Sequence, residues 1–117
     1  MSTINLIRGD SATVRIFIND ETGAPLNLSG RIVRMTAKRS FFDPDAQKIF
    51  SIDTTDRISV VGVGEAVALI NSEDTRNVDS GNYVYDVKVQ WTDGGRTRRK
   101  TPIIGDFNLL PVVQRGE

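Results

Sequence analysis

The segment Gly81-Asn82-Tyr83-Val84-Tyr85-Asp86-Val87-Lys88-Val89-Gln90-Trp91 constrains this chain more than any other. Tyr83, Tyr85, Val87, Val89 and Trp91 recur at period two, which places all five on one face of an extended strand. Asp86, Lys88 and Gln90 point the other way, with Val84 the one apolar exception. Aromatic and β-branched side chains fit a pleated, half-buried surface. Gly81 before the run and Asp93-Gly94-Gly95 after it are turn signals. The segment therefore predicts a long central strand that puts five large side chains into a core and then enters a hairpin.

Other stretches read the same way. Asn5 to Arg8 and Ser11 to Asn19 are strands, the second alternating Val14, Ile16 and Ile18 with Thr13, Arg15 and Phe17. Phe17 falls on the outer face and marks a contact surface. Arg31 to Arg39 sets Val33, Met35 and Ala37 on one face. Lys48 to Asp53, Arg57 to Val61 and Ala66 to Asn71 are shorter strands. Ser72 can cap a single helical turn near residues 73–78, with acidic Glu73 and Asp74 suiting its dipole. Arg96 to Ile104 pairs back on the organising strand. After a break at Gly105, Phe107 and Leu109 close the last one. Many short strands separated by turn signals predict an all-β fold: an antiparallel, Ig-like β-sandwich of about 7–9 strands.

With 117 residues the chain suits one domain, residues 1–117, with short tails at both ends. Its 38% hydrophobic and 26% charged residues are those of a globular protein. A formal net charge of +0 advertises neither nucleic acid nor membrane as a partner. No apolar run is long enough to span a bilayer as a helix, and the first residues lack the pattern of a signal peptide. The chain has no Cys and no His. Disulfides and thiol chemistry are therefore absent, as are the commonest general base and the commonest transition-metal ligand.

Several motifs invite a chemical reading and have a plainer one. Arg8-Gly9-Asp10 is the tripeptide integrins read in exposed loops, but between two strands it reads as a tight turn bending at Gly9. Asn27-Leu28-Ser29 fits a glycosylation acceptor, which matters only in a secretory compartment. Gly62-Val63-Gly64 lacks the strand–loop–helix setting of a phosphate loop and reads as a hairpin turn. Asp43, Asp45, Asp53 and Asp56 lack the spacing of a twelve-residue calcium loop and read as turn carboxylates. No pair of acids is singled out for general acid–base work. The expectation is a non-enzyme without cofactor or metal.

Two stretches remain as interface candidates. Phe41 and Phe42, beside Pro44, form either a loop folded over one end of the sandwich or an exposed apolar tip that docks on a partner. Arg96, Arg98, Arg99 and Lys100 are the densest basic patch, with Arg96, Arg98 and Lys100 on one face. They are either the charged outer face of a hairpin strand or a match for an acidic protein surface, ahead of a phosphate-binding stripe.

The order of Arg8-Gly9-Asp10 through Val14, Asp20-Glu21-Thr22-Gly23-Ala24-Pro25-Leu26-Asn27-Leu28-Ser29-Gly30, Gly81-Asn82-Tyr83-Val84-Tyr85-Asp86-Val87 and Gly105-Asp106-Phe107 resembles small β-sandwich domains of tailed bacteriophages. The N-terminal domain of the baseplate upper protein is one such domain. The resemblance runs roughly from Leu6 to Leu109, and its shared residues are scaffold, so no catalytic or ligand residue is carried over. It implies a virion part, assembled in the host cytoplasm, that packs against other structural proteins and copies of itself as a dimer or trimer. Tail or baseplate component and capsid decoration or cement protein both fit. A rival expectation is a carbohydrate-binding module that stacks sugars on Trp91, Phe41 and Phe42.

Overall fold

The computed structural model describes residues 2–40 and 48–111. Eight strands and one helical turn follow in order: β1 (Ser2–Ile7), β2 (Ala12–Phe17), β3 (Ile32–Lys38), β4 (Phe50–Asp53), β5 (Ile58–Gly62), β6 (Glu65–Ile70), α1 (Ser72–Thr75), β7 (Gly81–Asp93) and β8 (Arg96–Leu110). They build an all-β sandwich. One sheet has the order β1-β8-β7-β3-β4 and the other β2-β6-β5.

Period two decides what goes inside. Val33, Met35 and Ala37 of β3, Tyr83, Tyr85, Val87 and Val89 of β7, and Phe107 and Leu109 of β8 are buried on the inner face of the larger sheet. Ile16 and Ile18, Ile58, and Ala66, Ala68 and Ile70 meet them from the smaller sheet. Phe107 is fully buried and meets the Phe50 ring edge-on, with centroids 5.7 Å apart. Each such burial contributes about 1.5–3 kcal/mol. The Tyr83 hydroxyl donates to the carbonyl of Asp79 at 2.5 Å. This satisfies its polar end at the corner where the chain enters β7, as the tyrosine corner does in Ig-like sandwiches.

Four sequence expectations need correction. The pairing is antiparallel except at one edge, where β1 runs parallel to β8 from Ser2↔Gly105 to Ile7↔Leu110. The turn after Ile7 sends β2 into the opposite sheet, so β1 pairs with the last strand instead of with its neighbour. Gly105 is not a break: it lies inside β8, paired with Tyr85 on one side and Ser2 on the other. The helical turn starts one residue before the predicted span, at Ser72, and its cap is Asn71. The Asp74 carboxylate accepts the Asn71 N–H at 2.7 Å and Arg57 Nη1 at 2.6 Å, which anchors α1 to the start of β5. The fourth correction concerns Trp91. It is only half-buried and packs at the margin of the core. The pairing of β3 with β7 ends at Ile32↔Gln90, one residue short of it.

The β7–β8 hairpin continues past that point as a two-stranded overhang, through Trp91↔Arg98 to Asp93↔Arg96. At its base the register slips. Val87 pairs with Ile103 but Val89 with Lys100, so Thr101 and Pro102 together oppose Lys88. A bulge is where a strand tolerates a proline, which has no N–H to give the ladder.

Candidate interface surfaces

The bulge decides which way the basic patch faces. Below it, the odd-numbered residues Ile103 and Phe107 share the inner face with Val87 and Tyr83. Above it, Lys100, Arg98 and Arg96 stand opposite Val89, Trp91 and Asp93. Residues directly opposite across a ladder share a face. Arg96, Arg98 and Lys100 therefore do share one face, as the sequence predicts, but it continues the core face instead of being the hairpin's outer one. Arg99 points the other way and donates from Nε to Gln90 Oε1 at 3.1 Å. All four basic residues are exposed.

Under the overhang lies an open cleft of about 500 Å³ between the inner face of β7–β8 and the loop that follows β2. Leu26, Val89, Trp91 and Pro102 give it apolar walls, and Asp20, Glu21, Arg31 and Lys100 supply its charges. The Arg31 guanidinium lies over the Trp91 ring, 4.4 Å from the centroid. Asp20 shapes the loop: its Oδ1 accepts the N–H of Thr22 at 2.8 Å, that of Ala24 at 3.1 Å, and the Thr22 hydroxyl at 2.6 Å. The Thr22 hydroxyl is the main reason the Asp20 carboxyl titrates below its usual range. Glu21 is bonded to Lys100, which lowers its pKa in turn and ties the loop to the hairpin.

Phe17 lies elsewhere, on the outer face of the smaller sheet, and is 62% exposed. It pairs with Glu65 beside the β5–β6 turn. Val60, Val61, Val63 and Leu69 are exposed on the same sheet or its turn. Arg15 and Glu65 pair there at 2.7 Å. An ion pair so exposed contributes under about 1 kcal/mol. Phe41 and Phe42 lie outside the described residues.

Sequence reasoning identified Phe17 and the basic stretch but missed Arg31, Glu21, Leu26, Val61, Val63 and Leu69. For Leu69 no signal existed. Both faces of β6 are apolar, Ala66, Ala68 and Ile70 on one and Val67 and Leu69 on the other, so alternation could not say which faced out. Val60-Val61 was a usable signal, because adjacent apolar residues break the period where the β5–β6 register shifts.

The remaining motifs take structural roles. Arg8-Gly9-Asp10 is a tight turn in which Asp10 N–H donates to the Ile7 carbonyl at 3.0 Å. Gly9 there has φ +86°. Gly62-Val63-Gly64 closes the β5–β6 hairpin. Asp53 Oδ1 accepts the Thr55 N–H at 2.9 Å, and its Oδ2 accepts Arg34 Nη2 at 3.3 Å. Among the described residues no group of three or more acids stands close enough to hold a metal ion. No helix among them is long and apolar enough to cross a membrane. No model of a known protein family matches the chain, and no curated protein matches it.

Proposed function

We propose that this protein is a non-enzymatic structural component of a tailed-bacteriophage virion. It works by contact with other structural proteins and with copies of itself, as a tail or baseplate part or as a capsid decoration or cement protein. The observation that carries the contact reading is the apolar exposure of the smaller sheet, with Phe17 and Leu69 on its outer face and Val60, Val61 and Val63 at its β5 edge and the β5–β6 turn. Phe17, Val60, Val61, Val63 and Leu69 are five of the eight large apolar side chains exposed among the described residues. Grouped apolar exposure of this kind marks interaction sites, whereas scattered exposure does not. The charges on that face, Arg15 and Glu65, cancel. Two copies meeting there about a two-fold axis would bring together faces of balanced charge. Three short strands present a small area, so each contact is weak and gains strength from repetition in a symmetric particle.

The virion assignment draws on the resemblance of the turn and strand pattern to phage sandwich domains. Mass spectrometry of purified particles tests it: the protein is expected among the particle proteins, and its absence overturns the assignment. Trp91 in an open cleft is the observation that favours the second reading, a carbohydrate-binding module. Against it, Arg31 already covers a face on which a sugar would stack.

A further inference from the structure

We propose that the cleft under the β7–β8 overhang is a socket for an acidic peptide segment of a partner protein. Arg31 takes a carboxylate, and Trp91, Leu26 and Val89 take the neighbouring aliphatic side chain. This rests on the reading of the protein as a contact-making module and gives that reading a second, chemically distinct surface.

The argument begins with Arg31. Its guanidinium is stacked over Trp91 and half-buried. A guanidinium held over a ring can still present N–H donors to a carboxylate, and its fork suits bidentate capture. Among the described residues its guanidinium has no hydrogen bond and no ion pair; the ring contact is its one interaction. The acids beside it are occupied. Asp20 is held by Thr22 and Ala24, and Glu21 by Lys100. Arg98, across the ladder from Trp91 on the same face, has no ion pair among the described residues either. Among the described residues, Arg31 is therefore a cleft-lining cation with no acid paired to it, and Arg98 stands on the strand beside the cleft.

Size and composition narrow the occupant further. A cleft of about 500 Å³ admits one or two side chains, not a folded surface. Trp and Arg in a partly desolvated pocket are the residue types that dominate binding energy at protein interfaces. A neutral sugar would find one ring face taken and would bring no charge for Arg31.

The chain contains 1 Trp, so its fluorescence reports on this cleft alone. The probes are the blocked pentapeptide acetyl-Asp-Leu-Asp-Leu-Asp-amide, its Asn-for-Asp counterpart, and a trimer of galacturonic acid. Titrated into the intact protein, the acidic peptide is expected to shift Trp91 emission saturably and to bind at least tenfold tighter than the Asn peptide. Arg31→Gln is expected to remove that preference, and Arg31→Lys to weaken binding several-fold, with thermal midpoints unchanged. No saturable shift, or equal affinity for the two peptides, overturns the proposal. Tighter binding of the uronate trimer overturns it in favour of an acidic saccharide site. Particle composition separates this inference from the reading it rests on. Equal incorporation of wild-type and Arg31→Gln chains into virions sinks the socket and leaves the structural role standing. Absence of the wild-type chain sinks the structural role, and with it the socket's partner.

Discussion

The backbone N–H of Gly9 donates to the hydroxyl of Thr75 at 2.9 Å, joining residues 66 positions apart in the chain. Thr75 is fully buried. The bond seats the β1–β2 turn on α1, so an integrin-type tripeptide serves here to connect the two sheets. Replacing Thr75 with Val keeps the shape and removes the acceptor. The orphaned N–H is expected to cost about 1–3 kcal/mol. Thr75→Ser, which keeps the oxygen, should cost less. Urea unfolding of the two variants checks the order, and equal midpoints would refute it.

Glycines with positive φ should differ sharply in what a methyl group costs them. Gly64 has φ +70°, and a Cβ there would stand 2.7 Å from Pro25 Cβ and 2.8 Å from the Ile18 carbonyl oxygen. That carbonyl is bonded to Leu26 N–H, and Ile18 N–H to the Gly64 carbonyl, so the backbone has little room to retreat. Gly94, at φ +56°, has nothing within 4 Å. Gly94→Ala should cost about 1 kcal/mol from conformation alone. Gly64→Ala should cost about 2–3 kcal/mol or more, since steric conflict adds to the strain. Thermal denaturation of the pair tests the difference.

Phe17→Asp separates stability from association. The side chain is largely solvated in the monomer, so the substitution should change unfolding free energy by no more than about 0.5 kcal/mol. It places a charge in the apolar face proposed for self-contact. Analytical ultracentrifugation of the wild-type chain should show concentration-dependent association that Phe17→Asp removes. Association unaffected by Asp at this position would rule out that face.

Asp53 gives a pH dependence of definite sign. The Thr55 hydroxyl is the main cause holding its pKa below the usual aspartate range, with the Thr55 N–H and Arg34 adding to it against a smaller cost of burial. The unfolded chain therefore takes up this proton at higher pH than the folded protein does. The stabilisation is complete above about pH 5 and is lost as pH falls through the folded pKa, below about pH 4. Urea midpoints measured from pH 7 to pH 3 should fall less for Asp53→Asn than for wild type. Parallel curves would show that Asp53 contributes nothing to acid sensitivity.

Local pattern was enough to reveal the strands, the hairpin at Asp93-Gly94-Gly95 and the outward Phe17. Side chains two residues apart share a face whatever the rest of the chain does, and turns are written in glycine, proline and aspartate. Pattern could not reveal which sheet each strand joined, the parallel partner of β1, or the slip at Thr101 and Pro102. Those depend on hydrogen bonds between segments up to a hundred residues apart, such as Asn108 Nδ2 to Asn5 Oδ1 at 3.0 Å. The slip matters most for the proposed socket. One extra residue in β8 turns Arg98 from the outer face to the side of Trp91. The end of β3 leaves that ring half-open, where period two alone would have buried it.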